Sequence, residues 1–184
     1  MQKRLFVHGS AALVAAVASL PAASIAAVAE STQAGAAGSS VSKLKDQMET
    51  EALKTVVRRF NKEVIEGGRR ASFQELMDDS FVNRSAAAGA PSGPESMWNT
   101  FENVLRPALS GLKVEIHDQL CDGDKVTTRK SITGTHTGTL MGIAATGKPV
   151  SIDVIDIVRV RAGRYVEHWG INTLPAVLVQ LRAG

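Results

Sequence analysis

The spacing of apolar residues changes at Gly111, and that change limits the chain to folds that pack helices against a sheet. Before it the spacing is helical. In "KLKDQMETEALKTVVRRFNKEVIEGG", Leu44, Met48, Ala52, Val56, Phe60 and Val64 share one face, with Leu53 and Val57 alongside, and Gly67-Gly68 ends the helix. A short second helix is predicted over "SFQELMDD", with Ser72 as N-cap, followed by a brief strand, "SFVN". A third helix is predicted over "SGPESMWNTFENVLRPAL", with Met97, Trp98, Phe101, Val104 and Leu105 on its apolar face. After Gly111 the period is two. "LKVEIHDQL" alternates, "DGDKVTTRKSITGTHTG" follows an Asp-Gly turn, and "KPVSIDVIDIVRVRAGRYVEHWG" supplies two more strands. "LPAVLVQLRAG" closes the chain as a short helix or extended tail. Helices first and strands after is an α+β order, with a curved antiparallel sheet wrapping the helices.

The last hairpin, "DIVRVRAGRYVEHWG", carries an acid near one end and a histidine near the other. With Arg161-Ala162-Gly163 as a three-residue loop, Val160 pairs with Arg164, Val158 with Val166 and Asp156 with His168. These residues then share a face with Val154 and Gly170, and Ile155, Ile157, Arg159, Tyr165, Glu167 and Trp169 take the other. A carboxylate beside an imidazole fixes its tautomer and supports its charged form, which makes an acid–base unit on an apolar face. The same pair can equally be an inert polar anchor inside the sheet. The expected site is therefore His168 and Asp156 as acid–base pair. Asn83, Trp98, Val154, Val158 and Val166 are the expected contacts to a small hydrophobic molecule. His136 is expected on a solvated strand end and His117 on the exposed face. The histidines show no metal-ligand spacing, and there is no phosphate loop, nucleophile elbow or catalytic cysteine motif. No metal and no cofactor is expected.

Residues 1–29 have a basic start at Lys3 and Arg4, an apolar stretch to Leu20, and Ala27-Val28-Ala29 as a small-x-small end. They are expected to be a secretory signal peptide, cleaved after Ala29, so that the protein is exported to periplasm or medium. Residues 30–44 are expected as a flexible Ala/Gly/Ser linker and 45–184 as the folded domain. Loss of Lys3 and Arg4 leaves 19 basic against 18 acidic side chains, so the basic pI of the whole chain says little about partners. With aromatic residues at 4%, no stacking platform for nucleic acid is visible, and no membrane contact is expected after signal removal. Cys121, the single cysteine, is expected as a buried apolar residue.

The blocks "VRRFNKEVIEGG", "FQELMDDSFVNRSA", "GPESMWNTFENV", "GTHTGTLMGIAATGKPV" and "DIVRVRAGRYVEHWG" resemble, in that order, the SnoaL-like polyketide cyclase or ester cyclase family. The likeness runs over roughly residues 50–182. It implies the nuclear-transport-factor-2-like fold: a cone-shaped α+β barrel with N-terminal helices packed on a strongly curved sheet around an apolar pocket. It also implies cofactor-independent lyase or isomerase chemistry and, by analogy within the fold class, a homodimer. Asn83 matches the family's asparagine after the second helix. The position of the family's acid/base aspartate holds Gly170, and the position of a neighbouring histidine holds Asp156. The expectation is an exported protein that binds a small hydrophobic carbonyl compound and acts as an isomerase, cyclase or hydratase. The alternative is a non-catalytic ligand-binding or dimerisation module of the same fold.

Overall fold

The computed structural model describes residues 22–183. Residues 1–21, most of the expected signal peptide, lie outside the described part. The chain divides into two units, Met1–Leu44 and Lys45–Gly184. The second carries the sheet and the site.

Helix α1 spans Ala22–Arg59 and continues through a wider π-helical segment, Phe60–Glu66. It begins well before the predicted start and takes in residues of the expected linker. The stretch is rich in alanine and free of proline, so helix costs it little. The apolar stripe is covered only at its C-terminal end. Val57, Phe60, Val64 and Ile65 are buried, whereas Leu44 and Met48 are exposed. Arg106 donates to the carbonyls of Val64, Ile65 and Glu66, which satisfies the open end of this helix.

Helix α2 is Arg70–Leu76 and strand β1 is Met77–Asn83. Ser72 is not the N-cap; its hydroxyl donates to Glu63 instead. Helix α3, Pro94–Asn99, runs on through Thr100–Leu105 and Arg106–Ala108, with Pro94 in its first turn as the sequence predicts. Strands β2 (Leu109–Asp122), β3 (Lys125–His136), β4 (Pro149–Arg161) and β5 (Arg164–Asn172) follow, then helix α4, Leu174–Arg182.

The five strands form one curved, unclosed sheet in the order β1-β5-β4-β3-β2. This is the α+β fold that the order of elements predicts. One pairing differs from an all-antiparallel sheet: β1 runs parallel to β5, with Asn83 beside His168. The helical residues Phe60, Phe73, Leu76, Met97 and Leu105 share a core with the inner strand residues Val126, Ile132, Ile152, Val158 and Val160. The ring of Phe60 stacks on Tyr165 with centroids 4.3 Å apart.

The β4–β5 hairpin departs from the predicted register. Its turn has two residues, Ala162 and Gly163, both at positive φ (47° and 74°), and Arg161 pairs with Arg164. Such a turn alone would send His168 to the outer face. A bulge corrects it. Val160 pairs with Tyr165 but Arg159 with Glu167, so Val166 is the extra residue. Beyond the bulge Val158 pairs with His168 and Asp156 with Gly170. Asp156 and His168 therefore share the inner face, as predicted, but as diagonal rather than direct neighbours. Tyr165, predicted on the outer face, points inward and is buried.

Candidate functional site

An apolar cavity of about 290 Å³ opens between α3 and the inner face of the sheet. Phe101, Val104, Leu105, Ile132, Ile152 and Leu174 form much of its wall, and Met141 reaches it from the loop between β3 and β4. Its polar end gathers Asn83, Lys130, Asp156 and His168. That volume is near the lower limit of small-molecule sites, so it suits a compound of one or two rings.

Each polar group is placed by its own element. Asn83 ends β1, and its Oδ1 accepts the backbone N–H of Ser85 at 3.0 Å. The amide orientation follows from that bond, because a backbone N–H needs an acceptor. His168 Nδ1 lies 3.0 Å from the same oxygen, so Nδ1 carries the proton and donates it. In the neutral ring Nε2 then holds the lone pair. Nε2 sits 3.7 Å from Asp156 Oδ2, too far for a hydrogen bond.

Asp156 is 4% exposed and faces Lys130, whose Nζ lies 2.7 Å from the same Oδ2. Burial alone would raise the Asp156 pKa. The Lys130 ammonium, aided by His168, outweighs burial and holds the carboxyl below its ordinary value. Asp156 Oδ1 is buried and has no hydrogen-bond partner among the described residues. Lys130 also donates to Asn61 Oδ1 at 2.7 Å, and Asn61 donates to the carbonyl of Val57 one turn back in α1. Tyr165 stays a neutral phenol: burial, then the Asp156 charge, pushes it well above its usual value. Gly170 completes the arrangement. A Cβ there would lie 2.9 Å from His168 Cε1, so the imidazole occupies the space that a side chain at 170 would need.

Asn83, Val154, Asp156 and His168 are brought together at the cavity as predicted by sequence. Three expected contacts are not. Trp98 packs on Phe73, with Arg70 over its ring, because its helical phase points away from the cavity. Val158 is buried in the core beside the cavity rather than on its wall, and the bulge removes Val166 from the inner register. His136 is also misplaced by the sequence reading. It is fully buried, bonded to Thr146, because the loop after β3 folds back over the strand end. His117 is exposed as expected, but Cys121 is only half-buried. Lys130 and Asn61 escaped prediction, although "KVTTRKSIT" places a lysine in register with Val126 and Ile132, inside the sheet.

A curved, unclosed α+β sheet with helices on its inner face and an apolar cavity between them is the nuclear-transport-factor-2-like architecture. The family model "SnoaL-like polyketide cyclase" matches residues 55–181, and the chain belongs to that family. Membership implies cyclase- or isomerase-type activity. Among solved structures, wild-type IdmH from Streptomyces antibioticus is similar at 26% identity and TM-score 0.62, over 71% of this chain and 98% of its own. TsrD from Streptomyces laurentii shares the fold at 21% identity and TM-score 0.64, over 73% of this chain and 97% of its own. An LEH-like epoxide hydrolase of M. tuberculosis shares it at 16% identity and TM-score 0.56, over 74% and 93%. No curated protein matches the chain.

Proposed function

We propose that the chain is an exported enzyme that binds a small, mostly apolar carbonyl compound and moves a proton on it, in an isomerisation, cyclisation or hydration. His168 Nε2 is the base, Asp156 stabilises the imidazolium, and Asn83 holds the ring by its Nδ1 proton. One observation carries this reading. The Ser85–Asn83–His168 chain of hydrogen bonds engages Nδ1 and leaves Nε2 beside a buried carboxylate at an apolar cavity. The chemistry needs no metal or organic cofactor, since the base, its counter-charge and the apolar wall are all side chains.

Native mass spectrometry of protein purified from its own host tests the binding half, with a retained small molecule as the expected result. On the substrate so identified, His168→Gln should lower turnover by about 10²–10⁴. Retention of a ligand with turnover indifferent to that change would leave a binding module, not an enzyme. Export is tested by N-terminal sequencing, which should start at or near Glu30; an intact Met1 on the exported form rejects it. For the outer sheet face we propose a second copy of the chain. Ile155 and Ile171 are cross-strand partners there and both are exposed, which suits a self-complementary contact. A monomer mass in light scattering would exclude the homodimer.

A further inference from the structure

We propose that Lys130 is the oxyanion-binding residue of this site, and that the substrate is an enolisable carbonyl compound held by its oxygen on the Lys130 ammonium. This deepens the proton-transfer reading and rests on it. The ammonium has three N–H groups. Two are directed to Asp156 Oδ2 and Asn61 Oδ1, and among the described residues no third acceptor is bonded to it. Lys130 is 4% exposed and lines the cavity. Its position is over-determined. Asn61 is anchored on the Val57 carbonyl, and Lys130 itself sits in mid-strand, where Val154 on β4 and Ile116 on β2 pair with it. Burial of the ammonium requires those two partners, and they also hold it fixed, so that its third N–H can meet a developing charge without reorganising.

Charge arithmetic favours the same role. At rest Lys130 and Asp156 cancel. When His168 Nε2 takes the proton of a C–H bond, the bond's electron pair moves into a new C=C bond and the carbonyl oxygen becomes negative. Asp156 then faces the imidazolium, and the oxygen needs a cation of its own. Lys130 Nζ and His168 Nε2 lie 2.7 Å and 3.7 Å from the same Asp156 Oδ2, and both residues line the cavity, so the ammonium and the base are near neighbours for a carbonyl oxygen and the carbon beside it. Return of the proton to a different carbon completes an isomerisation with atoms and charge balanced. Without Lys130 the enolate would form beside a bare carboxylate, which is unfavourable at short range.

The test uses para-nitrophenol, whose phenolate carries its charge on an oxygen attached to a planar carbon, as an enolate does, and has its own absorbance. The wild type should bind the phenolate in preference to the neutral phenol. The comparison is the double variant Lys130→Met/Asp156→Asn, which removes both charges and so leaves no lone buried ion. If Lys130 holds the oxygen, the double variant binds the anion roughly 10- to 100-fold more weakly, the range for one charge-assisted hydrogen bond. If it does not, loss of the Asp156 charge leaves anion binding equal or tighter, which overturns the proposal. A readout without any variant guards against misfolding. The Lys130 side-chain NMR signal should shift on adding phenolate and not on adding nitrobenzene, and equal shifts would reject the role. Binding of neither probe by the wild type defeats the cavity reading itself, whereas binding that ignores Lys130 defeats only this inference.

Discussion

Gly170→Ala should displace His168 while leaving the fold nearly as stable as before. The added Cβ would stand 2.9 Å from His168 Cε1 and 3.0 Å from Nε2, but an ordinary 3.5 Å from Asp156 Cβ. Carbon atoms rest about 3.5–4.0 Å apart, so the ring must retreat by roughly 0.5–1 Å while Asp156 stays. That retreat carries Nδ1 away from Asn83 Oδ1, now at 3.0 Å, and ends a bond worth about 1 kcal/mol. Alanine returns about 0.5–1 kcal/mol because glycine is unfavourable inside a strand. The net change is within about 1 kcal/mol, yet a base misplaced by about 1 Å is enough to cost on the order of 10²-fold in rate. Urea unfolding reads the stability, and the visibility of the exchange-protected Nδ1 proton of His168 reads the ring position. Gly163→Ala is the control. Open space surrounds a Cβ there, but φ is 74°, so it should lose about 1–2 kcal/mol and leave the His168 proton signal unchanged. A Gly170→Ala protein that keeps the proton signal and loses more than about 3 kcal/mol would show that the backbone yields, not the ring.

Phe60→Ala should cost about 3–5 kcal/mol in a denaturant titration, since Phe60 is buried and stacks on Tyr165 behind the site; a loss below about 1 kcal/mol would mean that the helix is not packed on the sheet this way. Glu66 is pulled down to about 2: burial opposes this, but Lys62, Lys113 and the Val114 N–H outweigh it. Its folded-state value is depressed, so its contribution is present above the unfolded value of about 4.3 and is lost as pH falls toward about 2. Stability should therefore drop by on the order of 2 kcal/mol over that window, and Glu66→Gln should remove this part of the drop in urea titrations at each pH.

Much of the framework is legible in residue spacing because one face of every element must be dry. Val57, Phe60 and Val64 mark the buried helix face, and Val126, Ile132, Ile152 and Val158 alternate as inner strand residues. What spacing cannot carry is a contest between local geometries. "RAG" fits a three-residue loop or a two-residue turn, and only pairing across the sheet selects the turn plus the bulge at Val166. The expected face of His168 survived since turn and bulge each shift the register by one residue, and two shifts restore the face. Burial of His136 depends on the return of a loop ten residues away in sequence, to Thr146. Lys130 differs from these. Its inward register was readable, but a lysine on a core face makes physical sense only once Asp156 and Asn61 are known to meet it. The early start of α1 has a simpler cause, since an alanine-rich stretch without apolar periodicity carries no packing signal yet forms helix readily.

The nitrogen NMR spectrum of His168, recorded on the folded protein at mildly alkaline pH, shows which ring nitrogen carries the proton. Two demands compete for the imidazole proton. Asn83 Oδ1 asks for it on Nδ1 at 3.0 Å, and the Asp156 carboxylate attracts it to Nε2 from 3.7 Å, with its charge already met by Lys130 at 2.7 Å. The shorter contact, and the neutralised carboxylate, favour Nδ1. The expected result is the Nδ1–H tautomer with Nε2 unprotonated, and loss of that preference in Asn83→Leu. A neutral His168 found as the Nε2–H tautomer would leave no base facing the cavity and would contradict the assignment.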